Sequence, residues 1–374
     1  MSHGKLQILK RRDPLRVGFL PVSDCAPLVY AKEAGLFAKF GLEVELRRET
    51  RWGDLRDKVI YGELDAAHAP APIPFLANLG IDSDPSSCVS GLVLNLQGNA
   101  ITISRRLWEE GVRDPDSLRQ QIYLNWGKKT YTFGVSHTFS SHYYLLLKWL
   151  KSGGIVPERE VRIIVIPPAQ MFPTLKLGYI DGFCVGEPWT SLAVQAEEGV
   201  CIATSAGLAP LHPEKVLMVR QAFSLGRADE HELLIAALLE ACAFCDLPQN
   251  RSALATLLAL PRYVDAPEDC FTVGLAGAPV PDLAPAAAQL NLNIFHRFDA
   301  NDPTDEKAAW IINLLYELLE QNSTHRRGPP RRAPILKNAF RRDIFNRARK
   351  LLNRPQDAVN SGPENYEPFA RQKA

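Results

Sequence analysis

Cysteine and histidine are the side chains best suited to chemistry, and this chain holds seven of the first and eight of the second. Cys25 sits in Ser-Asp-Cys-Ala-Pro, between a strand-like run and a helical one. A helix N-terminus there could lower its pKa and make a nucleophile, with His68 and Arg56 as groups able to reach it. An isolated cysteine beside a strand end is more often a small buried hydrophobe. Cys242 and Cys245 form a CxxC inside the apolar run LLIAALLEACAFC, without a second CxxC or a spaced histidine pair. Buried helical cysteines are expected there rather than a zinc or redox site. The sequence contains no HExxH, no GxSxG and no GxxxxGK[ST] loop for a nucleotide. Neither a metal nor a cofactor is expected.

The charges balance: 43 basic against 42 acidic side chains, for a net charge of +1 over 374 residues. That argues against a protein-wide surface for nucleic acid, and no direct nucleic-acid binding is expected. The balance hides one lopsided stretch, Arg326–Arg354, with nine arginines and two lysines against the single acid Asp343. Such runs are usually solvated, although an acidic partner could use them. Hydrophobic residues make up 46% of the chain, enough for folded cores. No run of 18 apolar residues reads as a membrane span. The N-terminal residues contain basic side chains but no apolar signal-peptide core, so a cytoplasmic setting is expected, or a periplasmic or membrane-associated one if residues before Met1 were removed. An odd number of cysteines fits reduced thiols.

The elements that would position these groups alternate. Strands are expected at 16–20, 42–46 and 64–67, with helices at Ala26–Phe40, 52–61 and 73–79 between and after them. A second block gives strands at 101–103, 131–135, 161–166 and 180–185, with helices at 114–125, 141–152 and 169–177 and another after Glu187. Alternation of this kind implies parallel strands with crossover helices, an α/β fold. Beyond residue 228 long helices follow, at 230–245, 251–259, 304–320 and 338–352. The Pro/Ala-rich 276–288 stretch reads as irregular, 325–334 as a linker and the last twenty residues as disordered.

Several segments in order resemble the nitrate/bicarbonate-binding proteins of the periplasmic-binding-protein superfamily. They are LRVGFLPVSDCAPLVYAKEAGLFAKFGLEVEL, RWGDLRDKVIYGELDAAHAPAPIPF, LQGNAITIS, SSHYYLLLKWLKSGGI, KLGYIDGFCVGEPW, HPEKVLMV and FRRDIFNRARKLL. The resemblance implies a two-lobed α/β, type II periplasmic-binding-protein fold with the ligand in the cleft between lobes. Its division would be an N-terminal extension at 1–15, a first lobe from 16–99 plus 210–322, and a second lobe at 100–209. A basic linker at 323–337, a C-terminal helix at 338–354 packing on the first lobe and a disordered tail at 355–374 would follow.

Nitrate is a planar monoanion with acceptors only, so its site needs donors and about one positive charge. The resemblance supplies Lys215 as that countercharge, and the bicarbonate-binding members depart at this lysine, which leans the reading to nitrate or nitrite over bicarbonate. It also supplies His142 at a helix start, the amide of Gln97, the indole N–H of Trp52 and close backbone approach at Gly186. Glu187 would pair with Lys215 or orient a donor, and His68 would line the cleft. Proteins of this kind feed ABC importers. With no export signal, the chain looks closest to cytoplasmic nitrate/nitrite sensors, which release an RNA-binding antiterminator partner when the anion binds. A desulfinase-like enzyme using Cys25 is the minor alternative.

Overall fold

The computed structural model describes residues 13–157, 159–276, 293–321 and 338–352. The 276–288 stretch beyond Ala276, the basic linker and the C-terminal tail lie outside the described residues, as do the first twelve.

Two mixed sheets organise the chain. The first contains β1 (Leu15–Phe19), β2 (Val44–Arg48), β3 (Ala66–Pro70), β4 (Cys88–Val89), β5 (Val93–Leu96) and β11 (Pro213–Arg220). The order is β2-β1-β3-β11-β4, with β5 also pairing β11. The second contains β6 (Asn99–Ser104), β7 (Tyr131–Val135), β8 (Val161–Val165), β9 (Gly182–Gly186) and β10 (Gly199–Thr204), in the order β10-β6-β9-β7-β8. β1 runs parallel to β2 and β3, and β7 parallel to β8 and β9, as the strand–helix alternation requires. The other pairings are antiparallel: β11 with β3, β4 and β5, and β6 with β9 and β10. The expected parallel strands are thus present, and antiparallel pairings accompany them. The strands that bring the chain from one sheet to the other run against their neighbours.

Local chemistry explains several boundaries. The helix expected over Ala26–Phe40 is two helices, Ala26–Glu33 and Leu36–Lys39, because Gly35 takes φ +69° between them. Helix Trp52–Tyr61 ends at Gly62 with φ +82°, a left-handed cap suited to glycine. Helix Ser141–Ser152 starts at Ser140, whose hydroxyl accepts the Tyr143 N–H. The last described helix, Arg342–Leu351, buries Ile344, Phe345 and Ala348. It packs on the long helix Ala228–Asp246. Two of its arginines are held by acids, Arg342 by Asp302 at 2.7 Å and Arg347 by Glu232 at 2.6 Å.

The apolar cores cross between the sheets. Phe183 and Trp189 of the second block share a cluster with Phe19, Leu28 and Trp52. Phe75 and Val216 of the first block share the other with Tyr131 and Phe133. Each of these two clusters thus joins buried side chains from both sheets. No described helix is long and apolar enough to cross a membrane.

Candidate anion site between the lobes

The strand ends of the two sheets meet at Lys215, which is 1% exposed. Its Nζ lies 2.7 Å from Glu214 Oε1 and 2.8 Å from Asp24 Oδ2, and 5.4 Å from the centre of the Trp52 ring. Lys215 and Glu214 are neighbours on β11, and neighbours on a regular strand point to opposite faces. Here the β11–β5 register slips on either side of Lys215: Pro213 pairs with Leu96, Lys215 with Asn95 and Val216 with Val93. A bulge of this kind re-aims a side chain, and it accompanies both charged groups lying together in the cleft.

Glu214 is the centre of the site. Its Oε2 accepts from Asn99 Nδ2 at 2.6 Å and from the Ser141 hydroxyl at 2.5 Å, and lies 3.0 Å from His212 Nε2. Its Oε1 is 3.4 Å from His142 Nε2. Burial pushes the carboxyl up, but Lys215, His142 and His212 outweigh it and hold Glu214 well below the ordinary range. Asp24 is held down in the same way: burial raises it, and Lys215 and His68 more than compensate. His68 Nε2 is 2.8 Å from Asp24 Oδ1. Neither Asp24 oxygen makes an aligned hydrogen bond among the described residues, so these contacts are charge contacts. The two carboxylates in turn raise Lys215 against its own burial. Burial lowers His68, and lowers His142 to about 4.

The expected ligand groups fall as follows. Trp52, His142, Gly186 and Lys215 come together, with His68 behind Asp24. Trp52 Nε1 donates to Ser136 Oγ at 3.2 Å, and Ser136 Oγ lies 3.0 Å from His142 Nδ1, a chain that spans the cleft. Gly186 faces inward: a Cβ there would lie 3.5 Å from Asn99 Oδ1 and 3.7 Å from Asp24 Oδ2. Gln97 sits at the β5–β6 crossing with φ +61°, and its Oε1 accepts the Leu211 N–H at 3.0 Å.

Two expectations need correction. Glu187 does not pair with Lys215. Its Oε2 accepts the Ser191 N–H at 3.0 Å at the start of helix Trp189–Gln195, and Gly274 lies directly against its stem. Nor is the site built of donors alone, since the Lys215 charge is already matched by two carboxylates. Sequence reasoning passes over Asp24 and Glu214, although Glu214 stands inside the His-Pro-Glu-Lys motif.

Burial moves Glu187 up to about 7. An acid whose folded pKa exceeds its unfolded value destabilises the fold as pH climbs from about 4.3, the ordinary glutamate value, to about 7. Glu187→Gln keeps an acceptor for Ser191 and removes the ionisation. It is expected to be more stable than the wild type at pH 8, by roughly 1–3 kcal/mol, and equal to it at pH 4.5. Thermal melts at the two pH values check this, and an equal difference at both would count against it.

Cys25 is fully buried, and burial with the neighbouring Asp24 charge pushes its thiol up rather than down. That is the reverse of an activated nucleophile. All seven cysteines are buried and unlinked, and no cluster that could hold a metal occurs among the described residues.

Two α/β units meeting at a buried, charged cluster define a two-lobed fold of the type II periplasmic-binding-protein kind. A family model described as the NMT1-like family matches residues 10–259, and the chain belongs to that family. It is 38% identical over 304 residues to the nitrate import ATP-binding protein NrtC of Synechocystis, covering 80% of this chain and 45% of that one. It is 38% identical over 306 residues to the bicarbonate transport ATP-binding protein CmpC of Synechococcus elongatus, covering 80% of this chain and 44% of that one. The chain thus spans about half the length of these curated relatives. The crystal structure of the periplasmic nitrate-binding protein NrtA from Synechocystis superposes with a TM-score of 0.81 at 24% identity, covering 93% of this chain and 91% of that one.

Proposed function

We propose that this chain is the substrate-recognition module of an ABC-type oxyanion importer, and that it takes nitrate or nitrite, with bicarbonate as the nearest competitor, in the cleft between its lobes. The observation that carries this reading is Lys215: a lysine fully withdrawn from water, with the Trp52 ring of the first lobe 5.4 Å from its Nζ and His142 of the second lobe against the neighbouring Glu214. A buried ammonium that can exchange a counterion is what a small anion needs on leaving water. In this reading Lys215, His142, Trp52, Gln97 and Gly186 contact the anion, and His68 stands behind Asp24. NrtC is a nitrate-import protein and CmpC a bicarbonate-transport protein, which supports transport over an antiterminator-linked sensor. NrtA is a periplasmic nitrate-binding protein, which supports that compartment for the module over a cytoplasmic one.

Calorimetric titration with nitrate, nitrite and bicarbonate tests the proposal. Saturable heat with nitrate or nitrite is expected, and silence with both would sink it. Gly186→Ala adds a more local test. The added methyl meets its neighbours at 3.5–3.7 Å, ordinary contact, so the melting temperature should hold. The same methyl occupies the space facing Asp24 and Asn99, and nitrate affinity should fall about tenfold or more, at about 1.4 kcal/mol per tenfold. Unchanged affinity in a folded Gly186→Ala protein would remove Gly186 from the site.

A further inference from the structure

The cluster around Lys215 has no spare cation for an anion. Asp24 and Glu214 set two carboxylates against Lys215, all in side chains at most 1% exposed, and His212 is already placed against the Ala209 carbonyl at 2.7 Å and Glu214 Oε2 at 3.0 Å. A monoanion added to that set would bring a further negative charge into a region closed to water with no free cation to meet it, which is strongly unfavourable. Something positive must enter with it. Lys215 is already charged, and it is already shared between two carboxylates 2.7 and 2.8 Å away.

One contact can take a proton without moving the backbone. His68 Nε2 lies 2.8 Å from Asp24 Oδ1, both side chains at most 1% exposed. An imidazolium there neutralises Asp24 locally and releases Lys215 Nζ from its second counterion toward the incoming anion. The other groups facing this pair come from three directions. Glu214 and Lys215 stand on β11, with His212 just before it, all three tied together through Glu214. His142 faces from the second lobe and is engaged with Glu214 and Ser136. The Cys25 thiol, next in the chain, is held protonated by burial. The remaining neighbour is the Trp52 ring, 5.7 Å from the His68 ring and without charge. Burial outweighs the attraction of Asp24 and holds His68 below the ordinary imidazole range. An added negative charge beside Lys215 shifts that balance.

We propose that the anion enters this site together with one proton, drawn from solvent and held between His68 and Asp24. This rests on the anion-binding reading above. The cluster then keeps the same total charge before and after binding. Proton uptake on binding makes affinity rise as pH falls, by linkage, with a limiting slope of about tenfold per pH unit.

The test is calorimetry of the whole chain with sodium nitrate and sodium nitrite. At pH 8, titrations run in two buffers of different ionisation heat give the number of protons taken up. Dissociation constants at pH 6.5 and pH 8 give the slope. The expected result is about one proton per anion and nitrate binding weaker at pH 8 by about thirtyfold. Asp24→Asn removes one buried negative charge, so its uptake should fall to zero and its affinity at pH 8 should equal or exceed that of the wild type. His68→Gln should bind weakly and equally at both pH values. Identical heats in the two buffers, with a dissociation constant that ignores pH, overturn the proposal from the wild type alone, whether or not either variant folds. No heat with nitrate or nitrite at either pH overturns the anion-binding reading itself, and this proposal with it.

Discussion

Lys215→Ala is expected to abolish nitrate binding and also to weaken the fold by about 3–5 kcal/mol, the usual result of leaving a buried partner charge unpaired. From sequence alone, the substitution should leave the fold intact, because Lys215 figures there only as a ligand. The structure changes that expectation. Lys215 is the cation between Asp24 and Glu214, all three at most 1% exposed, and its removal leaves two buried carboxylates against each other. The pH dependence has a definite sign. Asp24 and Glu214 are both held below their ordinary values, so the stability they contribute is present above the unfolded carboxylate range and is lost as pH falls through their folded values. Without Lys215 their folded values rise, so the deficit of the variant should be largest near neutrality and shrink toward pH 4. Urea denaturation at pH 7 and pH 4.5 measures both terms. A deficit under about 1 kcal/mol at pH 7 would place the two carboxylates in contact with water and contradict the buried triad. Combining Lys215→Ala with Asp24→Asn should recover part of the loss, because the second change removes one of the stranded charges.

Glu214→Gln is expected to loosen the two lobes. The carboxylate takes its hydrogen bonds from both sides of the cleft, with Asn99 and Ser141 on one and Lys215 on the other, and with His212 3.0 Å away. A glutamine fits the volume, but its NH2 must face groups that are themselves donors. Lys215 also loses one of its two counterions. Each buried polar group left without a partner costs about 1–3 kcal/mol, and a drop of about 3 kcal/mol or more is expected for the set. Because these hydrogen bonds join the lobes, the change should also appear as a larger radius of gyration in small-angle scattering. A variant that melts with the wild type and scatters identically would show that the apolar cores, and not this carboxylate, hold the lobes together.

The scaffold is more legible in the sequence than the charge arrangement. Helices 52–61 and 141–152 announce themselves through apolar spacing and their terminal Gly62 and Gly153. The break at Gly35 is hidden because Leu28, Ala31, Leu36 and Phe40 keep an acceptable helical spacing across it. β3 reads poorly because Ala-Ala-His-Ala-Pro has little strand character, and it is a strand through its neighbours β1 and β11 rather than through propensity. The donor residues can be picked out because motif and residue type point the same way. Asp24 and Glu214 cannot, for two physical reasons. A carboxylate looks out of place in an anion site until its buried lysine is seen to need a counterion. And strand periodicity assigns Glu214 and Lys215 to opposite faces, a rule that the register slip in β11 defeats.

That same strand sets an order of assembly. β11 lies between β3 and β4 in the first sheet, yet the chain makes it only after every strand of the second sheet. During N-to-C synthesis, Asp24 and His68 are in place long before Glu214 and Lys215 exist to balance them. Until β11 arrives, the groove beside β3 is an open edge with a negative charge at its mouth, and the pairings that close it are among the most distant in the sequence and so the slowest to find. The buried charge cluster around Lys215 therefore doubles as the seal of the fold. A chain in which Asp24, Glu214 and Lys215 have met is one whose last central strand has been correctly inserted.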